Sequence, residues 1–253
     1  MLNFSFPGIL GSKFHVLNRM EGKPSSRIAL VTGGSNGIGR AIVKKLANEG
    51  VKVIVADLQE TEEDVVAIFR RCDVGKKDDI AELFTWINEN VGHPDILVLN
   101  AGQGIKEKLT EGDPEKWEHI ININLMGALR CIRAFVPGML DKETGHVVFI
   151  SSVSANKPHP YGGIYTASKT ALEVVAETLR QETLPLVKVT VVSPGIVETE
   201  FFQNQISGPT TIEEIGMGSI SAEEIAEDVW YALSKKNGSC INKITTRPVL
   251  QNF

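Results

Sequence analysis

Two periodicities alternate along the chain from Arg27 onward, and this alternation restricts the fold more than any other feature of the sequence. Short runs of apolar, β-branched residues are typical of buried strands, whereas apolar residues spaced three and four positions apart are typical of helices. The predicted strands are 28–32, 52–56, 96–99, 146–150, 188–192 and a segment near 241–245. The predicted helices are 40–48, 78–90, 114–140, 165–182 and 222–234.

Strands that alternate with helices form βαβ units, which place the strands in a parallel sheet that is buried on both faces. Right-handed crossovers then put helices on both sides of the sheet. We therefore predict the α/β class and a doubly wound parallel sheet of about seven strands. No repeat or linker divides the 253 residues, so 27–253 is expected to form a single domain.

Residues 1–26 differ in composition from the rest of the chain. They contain Lys13, Arg19 and Lys23 but only one acidic residue, Glu21, together with several glycines and prolines. A basic tail is the simpler interpretation, and an organellar presequence is the alternative, since such segments are basic and poor in acids. We predict an N-terminal extension over 1–26 and a cytoplasmic protein, with organellar targeting left open.

The composition argues against several classes of protein. The chain has 26 basic and 31 acidic residues, and the resulting net charge of −5 speaks against a dedicated nucleic-acid binder. Its apolar runs are shorter than the ~18 residues of a membrane span, so no membrane contact is expected. Cys72, Cys131 and Cys240 lie far apart, and the five histidines show no ligand spacing. Neither a disulfide framework nor a metal site is therefore expected.

A glycine-rich turn follows the first predicted strand. Residues 32–39 read Thr-Gly-Gly-Ser-Asn-Gly-Ile-Gly and lead into a helix. Glycines let the backbone approach a pyrophosphate, and the helix N-terminus offers free N–H groups to the anion. A nucleoside-triphosphate P-loop competes with this interpretation, but Arg40-Ala41 stands where that motif needs Lys-Ser/Thr. A purely structural glycine turn stays open. The predicted cofactor contacts in the turn are Gly33, Ser35, Asn36, Gly37, Ile38 and Gly39.

Asp57 ends the second predicted strand, 18 residues after Gly39. A carboxylate at this place can accept hydrogen bonds from the adenine-ribose hydroxyls of NAD, and it would repel the 2′-phosphate of NADP. No Lys or Arg stands directly after it or among the glycines to bind such a phosphate. We therefore predict NAD rather than NADP as the cofactor.

Tyr165 and Lys169 are four residues apart at the start of a predicted helix and therefore share one face. A free phenol titrates near ~10, which is too high for easy proton exchange at neutral pH. A nearby ammonium favours the phenolate and lowers the pKa of the tyrosine toward a useful range. Such a pair also arises by chance on solvated helices, so by itself it indicates little.

Five motifs occur in one order along the chain. They are the glycine turn 32–39, Asn100-Ala101-Gly102, Ser152, Tyr165-x-x-x-Lys169 and Ser193-Pro194-Gly195. In order and approximate spacing they resemble the short-chain dehydrogenase/reductase family, from about Arg27 to the C-terminus. The resemblance implies a Rossmann fold and an oxidoreductase that uses a nicotinamide cofactor.

The resemblance also implies the remaining cofactor contacts. In that family the glycine turn holds the diphosphate, an acid after the second strand binds the adenine ribose, and later loops hold the adenine and the nicotinamide. The corresponding residues here are Asp73 and Val74 at the adenine, Asn100, Ala101 and Gly102 after the fourth strand, and Pro194, Gly195, Ile196 and Thr199 near the nicotinamide.

The same resemblance implies the reaction and its residues. Ser152 and Tyr165 would hydrogen-bond the oxygen of a secondary alcohol or ketone while hydride moves to or from the nicotinamide. Lys169 would lower the pKa of Tyr165 and bind the nicotinamide ribose, and Asn124 would hold a water of the proton relay. The 13 residues to Tyr165 select Ser152 over its neighbouring serines, and the flanking sequence selects Asn124 over Asn122.

Other features qualify the resemblance. Only 16 residues separate Asp57 from Asp73, so the helix predicted over 62–69 is expected to be short. Segment 200–219 corresponds to the substrate lid and is compact. Helices like those over 114–140 and 165–182 pair in the family's oligomers, which implies a homotetramer or homodimer. The alternative function is an NAD-binding sensor or scaffold on the same fold, against which the intact set of catalytic residues argues.

Overall fold

The computed structural model describes residues 27–60, 66–236 and 238–252, so the predicted extension over 1–26 lies outside the described residues. The described chain forms a seven-stranded sheet in which every neighbouring pair of strands is parallel. Its strands are β1 Ile28–Thr32, β2 Lys52–Asp57, β3 Ile68–Arg71, β4 Ile96–Leu99, β5 Gly145–Ile150, β6 Val187–Pro194 and β7 Lys243–Thr246. The predicted doubly wound parallel sheet is confirmed.

Helices and short helical turns connect these strands. The α-helices are α1 Gly37–Asn48, α2 Lys77–Asn90, α3 Pro114–Ile121, α4 Gly127–Asp141, α5 Gly163–Thr183, α6 Ile212–Ile215 and α7 Ala222–Leu233. A π-helical segment, Asn122–Met126, joins α3 to α4, and a 3₁₀ turn, Val153–Asn156, follows β5. The strand order is β3-β2-β1-β4-β5-β6-β7. The chain therefore reverses its direction of travel across the sheet between β1 and β4, and a cleft opens beyond their carboxyl ends.

Successive strand residues point to opposite faces of the sheet and build two apolar layers. Leu30 belongs to the layer that α2, α4 and α5 cover, together with the buried rings of Phe135 and Phe149. Val31 belongs to the opposite layer, which α1 and α7 cover with side chains such as Ile42. Each such fully buried side chain contributes about 1.5–3 kcal/mol. The cleft is thus built on a sheet that is packed on both sides.

The prediction of a short helix over 62–69 is wrong where the structure describes it. Ile68 and Phe69 lie in β3 and pair with Ile54 and Val55 of β2, while residues 61–65 lie outside the described residues. A short apolar run fits a strand or a helix equally well by periodicity. The segment becomes a strand because its backbone can form hydrogen bonds with the otherwise unpaired edge of β2.

Helix Pro114–Asp141, which joins α3, the π-helical segment and α4, is long and apolar enough to cross a membrane by length and composition alone. It is the one helix of the described residues that meets this test. A core helix passes the same test, and Phe135, Val136 and Met139 of this helix are buried against the sheet. About a third of its apolar window (33%) is buried in the fold, so packing accounts for part of this composition.

His146 supplies a test of the fold by pH. The side chain is buried, and its Nε2 lies 2.8 Å from Thr190 Oγ1. The single hydroxyl hydrogen of Thr190 goes to the carbonyl of Ile241 at 2.6 Å, so Nε2–H of the neutral imidazole donates to Thr190. Burial, aided by Lys188 and Arg27, lowers the pKa of His146 to about 3.

Acidification is expected to destabilise the protein through His146. An unfolded histidine titrates near ~6.5, so below that pH the unfolded chain binds a proton that the folded chain excludes. The free energy of unfolding should then fall by about 1.4 kcal/mol per pH unit between pH ~6.5 and the folded pKa of about 3. Urea denaturation at pH 7 and pH 5 measures this slope in the wild type and in His146→Gln. An equal slope in the two proteins would contradict the assignment.

Candidate active site

A cleft of about 1140 Å³ lies at the carboxyl ends of β1, β2, β4, β5 and β6. This volume exceeds the ~300–1,000 Å³ of ordinary small-molecule pockets and is large enough for a dinucleotide with a substrate beside it. Most of the residues predicted from the sequence lie on its wall. They are Gly33, Asn36, Gly37, Ile38, Gly39, Asp57, Asp73, Val74, Asn100, Ala101, Gly102, Ser152, Tyr165, Lys169, Pro194, Gly195, Ile196 and Thr199.

The glycine turn forms one end of the cleft. Gly33 and Gly37 have φ angles of +64° and +51°, a backbone conformation that side chains disfavour. A β-carbon on Gly39 would overlap the carbonyl oxygen of Gly33, so the turn can close only around glycine. Asn100 clamps it from β4, because its Nδ2 donates to the carbonyls of Thr32 and Gly33 at 3.0 and 2.8 Å. The N-terminus of α1 therefore faces a cradle of bare backbone that fits a diphosphate.

Asp57 borders the same end and is held in a defined orientation. Its Oδ2 accepts a hydrogen bond from the Ser35 amide at 2.9 Å, and its Oδ1 accepts one from the Leu58 amide at 2.7 Å. Oδ1 also accepts the Gln59 amide at 3.4 Å, so Oδ2 is the oxygen that keeps room for a hydrogen bond from a ribose hydroxyl.

The side chain of Ser35 is turned away from the cleft, and its predicted contact with the cofactor stays a prediction. Its side chain is buried and does not line the cleft. Its Oγ donates to the carbonyl of Gln59 at 2.5 Å, and its amide donates to Asp57. Ser35 thus positions the loop that carries Asp57. The motif placed it near the turn but could not show which way it points.

The side chain of Asn124 is fully engaged within the protein, and the predicted hold of Asn124 on a water of the proton relay stays a prediction. Asn124 is 1% exposed, lies in the π-helical segment and does not line the large cleft. Its Oδ1 accepts from the amide of Gln103 at 2.8 Å. Its Nδ2 donates to the carbonyl of Gln103 and to Ser168 Oγ, both at 3.0 Å. Both amide hydrogens are therefore engaged, and the side chain braces the loop after β4 instead of offering a donor to a water.

Ser152, Tyr165 and Lys169 meet at the other end of the cleft. Lys169 is buried, its Nζ donates to the carbonyl of Ile150 at 2.9 Å, and it lies 5.9 Å from the centre of the Tyr165 ring. Tyr165 is half-buried in the first turn of α5. Ser152 follows β5, and its Oγ accepts the Ser154 amide at 3.1 Å. The sequence spacing therefore brings a hydroxyl, a phenol and an ammonium to one place.

The protonation energetics differ from the expectation. Burial raises the pKa of Tyr165 to about 12, and a hydrogen bond with Ser152 acts in the opposite direction. Burial also lowers the pKa of Lys169 to about 8. The prediction that Lys169 brings the tyrosine toward neutrality is therefore not met in the protein alone, because loss of water dominates both groups. A positively charged ligand beside the phenol would favour the phenolate.

The wall beyond Tyr165 was mostly missed from the sequence. Phe201 stacks at 5.7 Å from the Tyr165 ring, and Phe201 and Phe202 of the predicted lid line the cleft. Gln103, Lys106, His119, His159 and Tyr161 line it as well. Of these, His119 lies in α3, and the other four lie in loops without periodicity.

The C-terminal segment supplies another residue that sequence patterns did not indicate. Gln251 is buried, and its Oε1 accepts the Ile196 amide at 3.0 Å. The amide of Gly195 donates to the carbonyl of Thr246 in β7 at 2.7 Å. The turn after β6 is thus fixed by residues some fifty positions later in the chain.

A single carboxylate ties the strand ends together behind the site. Glu173 Oε1 accepts from Ser151 Oγ at 3.1 Å and from Ser193 Oγ at 3.0 Å. Its Oε2 accepts from Lys243 Nζ at 2.7 Å and from Asn156 Nδ2 at 3.4 Å. These donors come from the end of β5, from β6, from β7 and from the 3₁₀ turn. Glu173 therefore joins β7 to three segments that border the cleft.

The fold and this cleft define a Rossmann-type, nucleotide-binding α/β protein. The family model described as short chain dehydrogenase matches residues 27–209, and the chain belongs to this family. It is accordingly an oxidoreductase, as the resemblance in the sequence implied.

Known proteins share this organisation over most of the chain. An uncharacterised oxidoreductase of Staphylococcus epidermidis is 32% identical over 235 residues, which cover 90% of this chain and 99% of the relative. The alcohol dehydrogenase of the archaeon Thermococcus sibiricus, complexed with 5-hydroxy-NADP, has a TM-score of 0.79 and 28% identity. That match covers 90% of this chain and 99% of the other. Serine dehydrogenase from Escherichia coli has a TM-score of 0.78 and 27% identity, over 89% of this chain and 100% of the other.

Proposed function

We propose that this oxidoreductase transfers a hydride between NAD(H) and a secondary alcohol or ketone. The observation that carries the proposal is the meeting of Ser152, Tyr165 and Lys169 on the wall of a cleft whose far end is the glycine turn. A dinucleotide that places its diphosphate on the turn would span the cleft toward these three side chains. When bound, the nicotinamide supplies or accepts the hydride.

The three side chains can perform the remaining work of such a reaction. Ser152 Oγ and the Tyr165 phenol lie where they can hydrogen-bond the same substrate oxygen. Tyr165 gives its proton to that oxygen during reduction and takes it back during oxidation. Lys169 is anchored to the carbonyl of Ile150, which fixes its ammonium near the ring of Tyr165. Its positive charge favours the phenolate, and this effect is expected to gain weight when ligands complete the site.

The choice of NAD within this proposal depends on Asp57. Its carboxylate borders the adenine end of the cleft, and the Ser35 amide, which could otherwise meet a phosphate, already donates to it. A 2′-phosphate would therefore face a negative charge. The Thermococcus sibiricus alcohol dehydrogenase was solved with an NADP derivative, so the fold by itself does not select NAD.

Turnover tests the proposed function directly. The absorbance of NADH reports the reaction when the protein is mixed with NAD and secondary alcohols, hydroxy acids, sugars or steroids, and with NADH and the matching ketones. Reproducible substrate-dependent change supports the proposal. If fluorescence shows that NADH binds but no class of substrate is turned over, the sensor alternative would be favoured instead.

Coenzyme preference gives a separate prediction for Asp57. The wild type should show a higher kcat/KM with NAD than with NADP. Asp57→Ala should lower kcat/KM with NAD by about 10-fold or more, because hydrogen bonds to a charged group contribute about 1.5–3 kcal/mol. In the same variant the kcat/KM values with NAD and with NADP should become more similar, since the repulsion of the 2′-phosphate is gone. Glu60→Ala, a nearby exposed carboxylate that does not line the cleft, is the control. A wild type that prefers NADP would overturn the assignment.

A further inference from the structure

Lys106 is a cation on the wall of the cleft that the mechanism above does not use. It stands four residues after Gly102, where a β-carbon would lie 3.4 Å from Lys169 Nζ. Four residues span at most about 14 Å, so the backbone of Lys106 is close to the reacting groups. Between them, Gly104 packs on the ring of Phe201, which stacks on Tyr165. Residues 102–106 therefore run from the catalytic lysine along the substrate side of the cleft.

The backbone around Lys106 is fixed on both sides. Its amide donates to the carbonyl of Ser207 at 3.0 Å, and the Ile206 amide donates to the carbonyl of Gly104 at 3.0 Å. The amide of Glu107 donates to the carbonyl of Tyr161 at 2.9 Å. The lid and the loop before α5 thus clamp this segment. These backbone hydrogen bonds fix the position of Lys106 on the wall of the cleft.

Within the described residues the ammonium of Lys106 makes no hydrogen bond and no direct ion pair. Glu214 is the only charged group among them that acts on it. Glu214 itself accepts Thr210 Oγ1 at 2.8 Å and the Thr211 amide at 3.0 Å, which commits it to the start of α6. Glu107, the adjacent acid, binds the Asp113 amide and Trp117 Nε1 instead.

The half-buried position of Lys106 makes its missing partner costly. Burial lowers the pKa of Lys106, which means that water stabilises this ammonium less than it stabilises an exposed one. Five carboxylates also line the cleft, but none is among the groups that act on Lys106. They are Asp57, Asp73, Glu198, Glu200 and Glu223. A partly desolvated cation that makes no hydrogen bond within the described residues, on the wall of the same cleft as Ser152 and Tyr165, fits an anionic group on the substrate.

We propose that Lys106 binds a carboxylate or phosphate group of the substrate and so restricts this enzyme to anionic hydroxy and oxo compounds. The inference rests on the proposed function, because it concerns the substrate of the same site. A lysine acts on an anion as a point charge with three donors, so carboxylate and phosphate are both within its chemistry. The aromatic wall formed by Phe201, Phe202 and Tyr161 would cover the carbon part of such a molecule.

Matched pairs of substrates that differ only in charge test the inference. The first arm compares 2-, 3- and 4-oxo acids with their methyl esters, and the second compares dihydroxyacetone phosphate with dihydroxyacetone. The wild type should reduce the anion of at least one pair with the higher kcat/KM. Lys106→Met should lower kcat/KM for that anion by about 10- to 100-fold and leave the neutral partner within about threefold. Lys106→Arg should retain most of the preference.

Two further observations separate charge recognition from a merely structural effect. The anion reaction of the wild type should weaken as ionic strength rises, and that of Lys106→Met should respond less. Lys108→Met is the matched control, because Lys108 is exposed, pairs with Glu111 at 2.8 Å and does not line the cleft. The inference would be overturned if Lys106→Met lost the same factor in kcat/KM for both members of a pair. It would also be overturned if the wild type had equal kcat/KM for the charged and the neutral member of every pair.

Binding measurements distinguish this failure from failure of the proposed function. Calorimetric titration of 4-oxopentanoate and its methyl ester into the protein with NAD present reports anion binding without turnover. Binding that depends on Lys106, with no turnover of any pair, would overturn the proposed function and leave the anion site standing. Turnover of neutral ketones without charge preference would support the function and overturn the anion site.

Discussion

Tyr165→Phe is expected to lower turnover with NAD(H) by about 10²- to 10⁴-fold, the usual contribution of a positioned acid–base group. The substitution removes only the phenolic oxygen, and the ring keeps its place 5.7 Å from Phe201. The fold and the affinity for NADH should be unchanged, because the glycine turn, Asp57 and Lys169 are untouched. The loss should therefore fall on kcat and not on coenzyme binding.

The pKa of the phenol adds a pH dependence to this prediction. Burial raises the pKa of Tyr165 to about 12, so little phenolate exists near neutrality in the protein alone. Alcohol oxidation needs the deprotonated form and should accelerate as the pH rises, whereas ketone reduction needs the phenol and should not. In Tyr165→Phe the residual oxidation should lose this rise. Tyr161→Phe, on an exposed tyrosine of the same cleft, is the control and should stay within a few-fold of the wild type. Undiminished turnover in Tyr165→Phe would remove the phenol from the mechanism.

Gly39→Ala is expected to cost about 3 kcal/mol or more of stability, or to abolish the binding of NADH. The added methyl would overlap the carbonyl oxygen of Gly33, which is backbone and has little freedom to move. Overpacking in well-ordered sites costs about 1–3 kcal/mol even where side chains can yield. If the turn yields instead, α1 shifts away from β1 and its N-terminus no longer faces the cleft.

Denaturation measures the stability of Gly39→Ala, and fluorescence titration measures its affinity for NADH. Gly163→Ala is the matched control, because the three atoms nearest its β-carbon would belong to the Leu109 side chain, at 3.4–3.5 Å. In the first turn of α5 that change should be neutral or stabilising by up to about 1 kcal/mol. Wild-type stability together with wild-type NADH affinity in Gly39→Ala would show that the turn accommodates a side chain, against the geometry.

The sequence predicted those parts of the site that local chemistry determines. The glycine turn, Asp57 at the end of β2 and the Tyr165–Lys169 pair each depend on spacing within one strand–turn–helix unit. Their positions on the cleft wall follow from the parallel sheet, whose carboxyl ends share one edge.

The remainder depends on contacts between distant segments, which local patterns do not encode. Gln251 reaches Ile196 across 55 positions, and Glu173 gathers donors from three strands. The orientation of Ser35 and of Asn124 depends on partners 21 to 44 residues away in sequence. β3 was missed because its pairing with β2 decides its structure. The effect of burial on the pKa of Tyr165 was not part of the sequence pattern, because burial is a property of the packed molecule.

The hydrogen bonds and the ion pair that converge on Glu173 have a consequence for the entropy of the reaction. Glu173 lies one turn beyond Lys169 on α5, so the segments that carry Ser151, Ser193 and Lys243 are tied to the helix that carries the ammonium and the phenol. Fixing a flexible side chain costs about 0.5–2 kcal/mol. In this protein the side chains tied to Glu173 are already fixed when the chain folds, before a substrate binds. The binding of substrate then has to immobilise only the substrate itself, which is the condition under which proximity accelerates a reaction most.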